Sequence, residues 1–284
     1  MPFSNTNDNQ VPGGIYLCQV NERISCGACC GLYNVADPSY ESIMEMLTWR
    51  TDSFLHVKRD MDAILAFKEE VEDREPQKRP FPEFHHCPYI GLVGKERSRV
   101  GCLLHPLLDE NKGIDFRGLS FYGSMACRVY FCPTYYGLPA VFKKIVRETA
   151  INWYGYGLVI TETKLLNTIF EEIENRLNRP LTANSLLKNN GCLKTVRRLL
   201  NLKINWPFRL KSSSGPANYF FKDQLYSRPH INYESISKTV SIYNNLLQEL
   251  ESQFNSASDL QAAEDLIDGL INKIINNLEV PALL

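Results

Sequence analysis

Residues 25–31 read SCGACCG, which places Cys26, Cys29 and Cys30 within five positions, with Gly27 between them and Gly31 after them. A thiolate is a strong, soft ligand for zinc, and iron–sulfur clusters are held mainly by thiolates. The spacing Cys26-x-x-Cys29 is one at which a tight turn directs two sulfurs at one ion. Gly27 lets the backbone curl so that amide N–H groups face those sulfurs. Cys30 follows Cys29 directly, and adjacent side chains diverge in most backbone conformations. Either Cys30 serves a second ion, or one of the pair bridges two metals.

Working outward, the chain has nine cysteines, at positions 18, 26, 29, 30, 87, 102, 127, 132 and 192. Eight of them precede residue 133, a bunching not expected of dispersed core residues. Cys87 stands in HHCPYIG, Cys102 in GCLLHP with His105 three residues on, and Cys127 and Cys132 in ACRVYFCP. The reading takes Cys26, Cys29, Cys30, Cys87, Cys102, Cys127 and Cys132 as metal ligands delivered from separate segments. A metal fed in this way staples a loop-rich domain together. The eight clustered thiols are enough for two four-thiolate sites, although seven is the set adopted.

Cys18 stays open, because YLCQV also reads as a strand with a small inward residue. His105 lies within reach of whatever Cys102 binds. His85 and His86 read more readily as a hydrated loop pair than as ligands. Cys192 sits in a helical pattern and reads as packing. Disulfides are disfavoured, since neighbouring cysteines pair poorly and the polar start MPFSNTNDNQVPGG has no export-signal pattern. The expected compartment is therefore the cytoplasm, with reduced thiols.

Composition bounds the rest. Of 284 residues 44% are hydrophobic, enough for a sizeable core, and a charged share of 22% argues against wholesale disorder. A net charge of −1 gives no general case for nucleic acid or an anionic membrane. No run of 18 apolar residues suggests a membrane span. GLVGK at 91–95 lacks the spacing of a phosphate loop.

The expected fold is mainly α. It has a disordered tail at 1–14, an irregular metal-stapled domain at 15–139 with short β structure at most, and a helical domain at 140–284. Helices are expected from Asp37-Pro38 to about Trp49 and over 58–73. Further helices are expected over 140–154, 162–177, 184–201, 233–254 and 258–278. Ile236, Val240, Tyr243, Leu247, Leu250 and Phe254 repeat at helical spacing, as do Leu260, Ala263, Ile267, Leu270 and Ile274. With Ser258 and Gln261 as a capping box, these predict a closing antiparallel helical hairpin. Its seam is expected to pack on the chain or to meet an unknown protein partner. Residues 179–222 hold nine basic and no acidic residues, whereas 249–279 hold seven acidic and one basic. Two opposed blocks are the simpler reading, and nucleic acid the less favoured one.

The segments RISCGACC, HCPYIG, GCLLHP and ACRVYFCP together resemble the YkgJ-like cysteine-cluster family, described as zinc- or iron-chelating. The resemblance covers about residues 23–133. By the family pattern Cys26, Cys29 and Cys30 match the end of CxxCxxCC, Cys87 and Cys102 the next two motifs, and Cys127 with Arg128 the last. The leading cysteine of CxxCxxCC falls on Arg23, so Cys18 or Cys132 is the candidate replacement. The resemblance implies a centre of zinc, of iron or of an iron–sulfur cluster, which spacing alone does not separate. Flagellin lysine-methylases carry a similar motif, so an iron–sulfur redox or protein-modifying enzyme is one alternative. Against it, no S-adenosylmethionine fingerprint is present. An adaptor with a purely structural metal is the other alternative.

Overall fold

The computed structural model describes residues 5–76, 78–211, 215–216 and 228–279. The chain is mainly α-helical. Helix α1 (Tyr40–Leu55) starts where the Ser39 hydroxyl accepts the Ser42 N–H at 3.3 Å. It buries Ile43, Leu47, Arg50, Thr51 and Phe54, a single stripe at helical spacing. Asp37, the expected cap, instead accepts the Ser39 N–H in a turn ahead of the helix. Helix α2 (Met61–Arg74) is capped by Asp60, whose carboxylate accepts the Ala63 N–H at 2.9 Å. The only sheet among the described residues is a hairpin. Strand β1 (Ile90–Val93) pairs antiparallel with β2 (Arg99–Cys102), setting Ile90 opposite Cys102. Gly94, at φ 83, opens the connection in a conformation that side chains rarely adopt.

Two short helices follow, α3 (Gly123–Val129) and α4 (Thr134–Gly137). The remaining helices are α5 (Ala140–Thr149), α6 (Trp153–Ile160), α7 (Thr163–Leu177), α8 (Ala183–Leu187), α9 (Asn190–Leu200), α10 (Leu202–Asn205), α11 (Asn244–Glu249) and α12 (Ala257–Glu279). The helix expected over 140–154 is two helices, because Asn152 turns its side chain back onto the Gly155 N–H and begins α6. Asn189 likewise starts α9 inside the span expected over 184–201.

The closing helical hairpin is a correction. Over 233–254 there is a 3-10 turn at Glu234–Ile236 and then only the six residues of α11. Ser237 sits at φ 54, in the left-handed region that interrupts a helix. The Ser241 hydroxyl then accepts the Tyr243 N–H and donates to Glu264, drawing local backbone away from helix. Val240 and Ile242 are 67% and 84% exposed. The other seam residues, Ile236, Tyr243, Leu247, Leu250 and Phe254, are buried all the same. Helix α12 forms as expected, but it packs on α9 and α7. Its cap is Ser256 rather than Ser258: the Ser256 hydroxyl accepts the Asp259 N–H, and the Asp259 carboxylate accepts the Asn255 N–H.

The boundary near Pro139 does not separate two cores. Ile15, Leu17 and Ile24 belong to the core built by α5, α6, α7, α9 and α12. A second core joins Tyr33, Ile43 and Leu47 to Trp153, Tyr154 and Leu158. The Tyr33 hydroxyl donates to the Tyr154 carbonyl at 3.0 Å, and a Cβ on Gly157 would meet that hydroxyl at 2.2 Å. A third core lies between α1, α2 and the hairpin. The expected tail is also placed in part. Asn5–Gln10 and Pro12–Gly14 form 3-10 turns, Asp8 pairs with Arg147 at 2.7 Å, and Lys143 donates to the Gly13 carbonyl.

The two charge blocks meet around Glu162. Lys203, fully buried, lies 3.0 Å from Glu162, and Arg228 contacts Glu162, Glu249 and Glu251 at 2.8, 3.1 and 2.6 Å. Arg209 adds a contact to Glu251. Among the described residues, no helix is long and apolar enough to cross a membrane.

Candidate metal centre

An antiparallel bridge pairs Gln19 with Ser25, and the Cys26 N–H donates to the Cys18 carbonyl at 2.8 Å. Cys18 and Cys26 are therefore cross-strand neighbours, at the range where opposed side chains meet. The chain then tightens into a 3-10 turn over Ala28–Cys30, closed by Gly31 at φ 76. On its far side the Cys87 N–H donates to the Cys30 carbonyl at 2.8 Å. Gly31 is pressed so close that a Cβ would lie 2.2 Å from the His85 carbonyl oxygen. Cys102 ends β2, and the Leu103 N–H donates to the Tyr89 carbonyl, holding that strand end beside the Cys87 segment.

Cys132 stands just ahead of α4, where its carbonyl accepts the Tyr135 N–H. The Tyr135 hydroxyl reaches back to the Leu17 N–H at 2.8 Å and the Cys18 sulfur at 3.2 Å, so Cys132 is tied to the Cys18 strand. Phe121 stacks on His85 at 4.1 Å, which lays the approach to α3 over the His85–Cys87 segment. Within α3, Cys127 contacts the Ser120 hydroxyl at 3.2 Å and is exposed.

The thiols feel one another in two neighbourhoods. Burial pushes Cys18 up to about 12, and charge on Cys29 and Cys132 adds to the effect. Burial raises Cys26 well above its ordinary value, with Cys29, Cys132 and Cys18 adding to it. Cys132 is raised by burial and by Cys29. On the other side, burial raises Cys87 to about 11 and Cys102 to about 12, with Cys127 contributing to both. Cys30 is raised well above its usual value by its hydrogen bond to Cys29, then by burial, with charge on Cys87 and Cys102 behind these. Cys29 moves the other way: the hydrogen bond from Cys30 outweighs burial and lowers it. The two neighbourhoods touch at this dipeptide. Among the described residues, no three His, Cys, Asp or Glu side chains are gathered tightly enough to hold a metal ion as they stand.

All seven cysteines singled out in the sequence thus fall in these neighbourhoods, and Cys18 joins them. Cys192 does not. It is buried in α9, and its thiol faces the Ile274 carbonyl of α12 at 3.6 Å. His105 turns its Nδ1 to the Leu107 N–H. His85 and His86 are not a hydrated pair, because both are drawn in by contacts that sequence does not reveal. His86 is buried, with Nδ1 2.7 Å from the Gly31 carbonyl and Nε2 2.6 Å from Arg50. Burial and the Arg50 charge lower its pKa, so neutral His86 donates from Nδ1 and accepts at Nε2. His85 is half-buried, and its Nε2 has no hydrogen-bond partner among the described residues.

Sequence reasoning missed Arg50. It is 0% exposed and donates to the Cys87 carbonyl at 2.9 Å, to the Ile90 carbonyl at 3.4 Å and to both Glu75 oxygens. This guanidinium fixes the backbone that carries Cys87. The available signal was its place in the apolar stripe of α1, between Leu47 and Phe54.

The donor set is sulfur with nearby imidazole nitrogen. That chemistry suits zinc or iron and not magnesium or calcium. No known protein family, no curated protein and no solved structure matches the chain.

Proposed function

We propose that the chain is a metal-binding protein whose clustered thiolates hold zinc or an iron centre in a reducing compartment such as the cytoplasm. The observation that supports this reading is a set of contacts that bring cysteine-bearing segments beside one another: the Cys26 N–H donates to the Cys18 carbonyl, the Cys87 N–H donates to the Cys30 carbonyl, Cys102 lies opposite Ile90 in the hairpin, and the Tyr135 hydroxyl, three residues on from Cys132, reaches the Cys18 sulfur. Burial, with charge on neighbouring thiols, raises Cys18, Cys26, Cys87, Cys102 and Cys132 above their ordinary value. A bound cation supplies the opposite charge that lets such groups ionise and ligate. Ligands drawn from distant segments couple metal binding to folding.

The test is anaerobic purification followed by metal analysis and an absorption spectrum. Stoichiometric zinc in a colourless protein, or iron with acid-labile sulfide in a brown one, supports the proposal. Metal-free protein with freely titrating thiols ends it. Cys29→Ser should lose metal and stability, whereas Cys192→Ser should keep its metal content.

A further inference from the structure

A cleft of about 450 Å³ opens among α5, α6, α9 and α10, a size that suits a small ligand. None of the cysteines lines it. Its apolar wall comes from Val146 of α5, Tyr154, Tyr156 and Val159 of α6, Leu200 of α9 and Ile204 of α10. Tyr40 stands exposed at the rim, its ring edge-on to Tyr154 with 5.4 Å between centroids. Ile151, 70% exposed, is a second apolar group at the mouth.

Arg197 and Arg198 line the same cleft from α9, and no carboxylate does. The Arg197 Nε donates to the Thr149 carbonyl at 2.8 Å, which holds that guanidinium against the end of α5. Arg198 is exposed. The buried ion pairs take Lys203 and Arg209 from the basic block of residues 179–222. Among the described residues no carboxylate pairs with Arg197 or Arg198. Burial, then charge on Glu41 and Asp37, raises the Tyr154 hydroxyl to about 12, and that hydroxyl donates to the Pro38 carbonyl. The negative groups thus bear on the Tyr154 end of the cleft, and the cations stand at the α9 end.

We infer that this cleft binds a small aromatic anion, with its rings against Tyr154, Tyr156 and Val159 and its carboxylate or sulfonate on Arg197 and Arg198. Aromatic walls favour an aromatic body through edge-to-face and offset contacts. A guanidinium presents a planar fork that matches a planar carboxylate and is less strongly hydrated than an ammonium.

The experiment titrates the full chain with anilinonaphthalene sulfonate, an aromatic anion, and with phenylnaphthylamine, the same aromatic body without the sulfonate, and follows fluorescence. A single saturable site for the anion is expected, with Kd on the order of 10 µM, and weaker binding of the neutral amine. Naphthoate should displace the dye at lower concentration than octanoate, which carries the same charge on an aliphatic body. Arg198→Gln should weaken the anion about tenfold and leave the amine nearly unchanged. Ile151→Asp, which sets a carboxylate at the mouth, should weaken the anion more than the amine. Both positions are exposed, so both variants should keep the parental urea midpoint. The displacement series is read on the unaltered chain and decides the question even if a variant misfolds. Non-saturating binding, equal affinity for the two dyes, octanoate matching naphthoate, or an Arg198→Gln variant that binds the anion like the parent would each overturn the assignment.

Discussion

Replacing Arg50 with Met should cost the fold roughly 3–5 kcal/mol, the usual penalty for breaking a buried ion pair and leaving one charge behind. The structure supplies the reasons. Arg50 is fully buried, its partner Glu75 is only 15% exposed, and the Cys87 and Ile90 carbonyls each lose a hydrogen bond. Each lost hydrogen bond adds on the order of 1 kcal/mol. Methionine keeps much of the aliphatic volume, so little of the loss belongs to packing. Equilibrium urea unfolding at pH 7 should show a lower midpoint at an unchanged slope. Adding Glu75→Gln to the variant should recover part of the loss, because the stranded charge is then gone. The same pair sets a pH dependence. Burial alone would raise the Glu75 carboxyl, but the hydrogen bonds and charge of Arg50 hold it down at about 2, against a usual 4.5. A depressed folded value means that this stability is complete above the unfolded value and is lost as pH falls from about 4.5 towards 2. In Arg50→Met that acid sensitivity should shrink. A variant within about 1 kcal/mol of the parent, with the acid limb unchanged, would refute the claim that Arg50 anchors the Cys87 segment.

Gly31→Ala should cost about 2 kcal/mol or more, because the new Cβ meets the His85 carbonyl at 2.2 Å and φ is 76. On the metal-binding proposal, protection by added zinc should fall first at Cys30 and Cys87, read by alkylation mapping. Glu162→Gln removes the carboxylate charge that faces buried Lys203 and one of the three that face Arg228, for a loss of roughly 3 kcal/mol and a thermal midpoint lower by on the order of 6–12 °C. Ser237→Gly relieves a left-handed residue and should raise stability by about 1 kcal/mol, measured by the same unfolding curve.

What could be read from sequence was whatever local chemistry decides. Helix α12 was legible because Leu260, Ala263, Ile267, Leu270 and Ile274 keep one face over the whole span, and all are buried. The tight turn that carries Cys26, Cys29 and Cys30 was legible because their spacing is itself local. Residues 233–254 misled, because their apolar rhythm reports burial, whereas the Ser237 conformation and the Ser241–Glu264 contact, which break the helix, depend on neighbours. Cys18 stayed undecided for a related reason. Its nearness to Cys26 comes from the Gln19–Ser25 bridge, and its nearness to Cys132 from Tyr135, more than 100 residues away. His86 was misjudged because its two partners, Gly31 and Arg50, are 55 and 36 positions distant.

The Tyr33 ring seated over Gly157 has a bearing on how this chain can be dissected. Its hydroxyl ends on backbone carbonyls of α6, and no side chain larger than hydrogen fits beneath it. A fragment cut after residue 139 would thus expose the inner face of Tyr33 and lose its acceptors, while the remainder would shed Ile15, Leu17 and Ile24 from its interior. Proteolytic halves of this protein should aggregate when separated and recover solubility only when mixed.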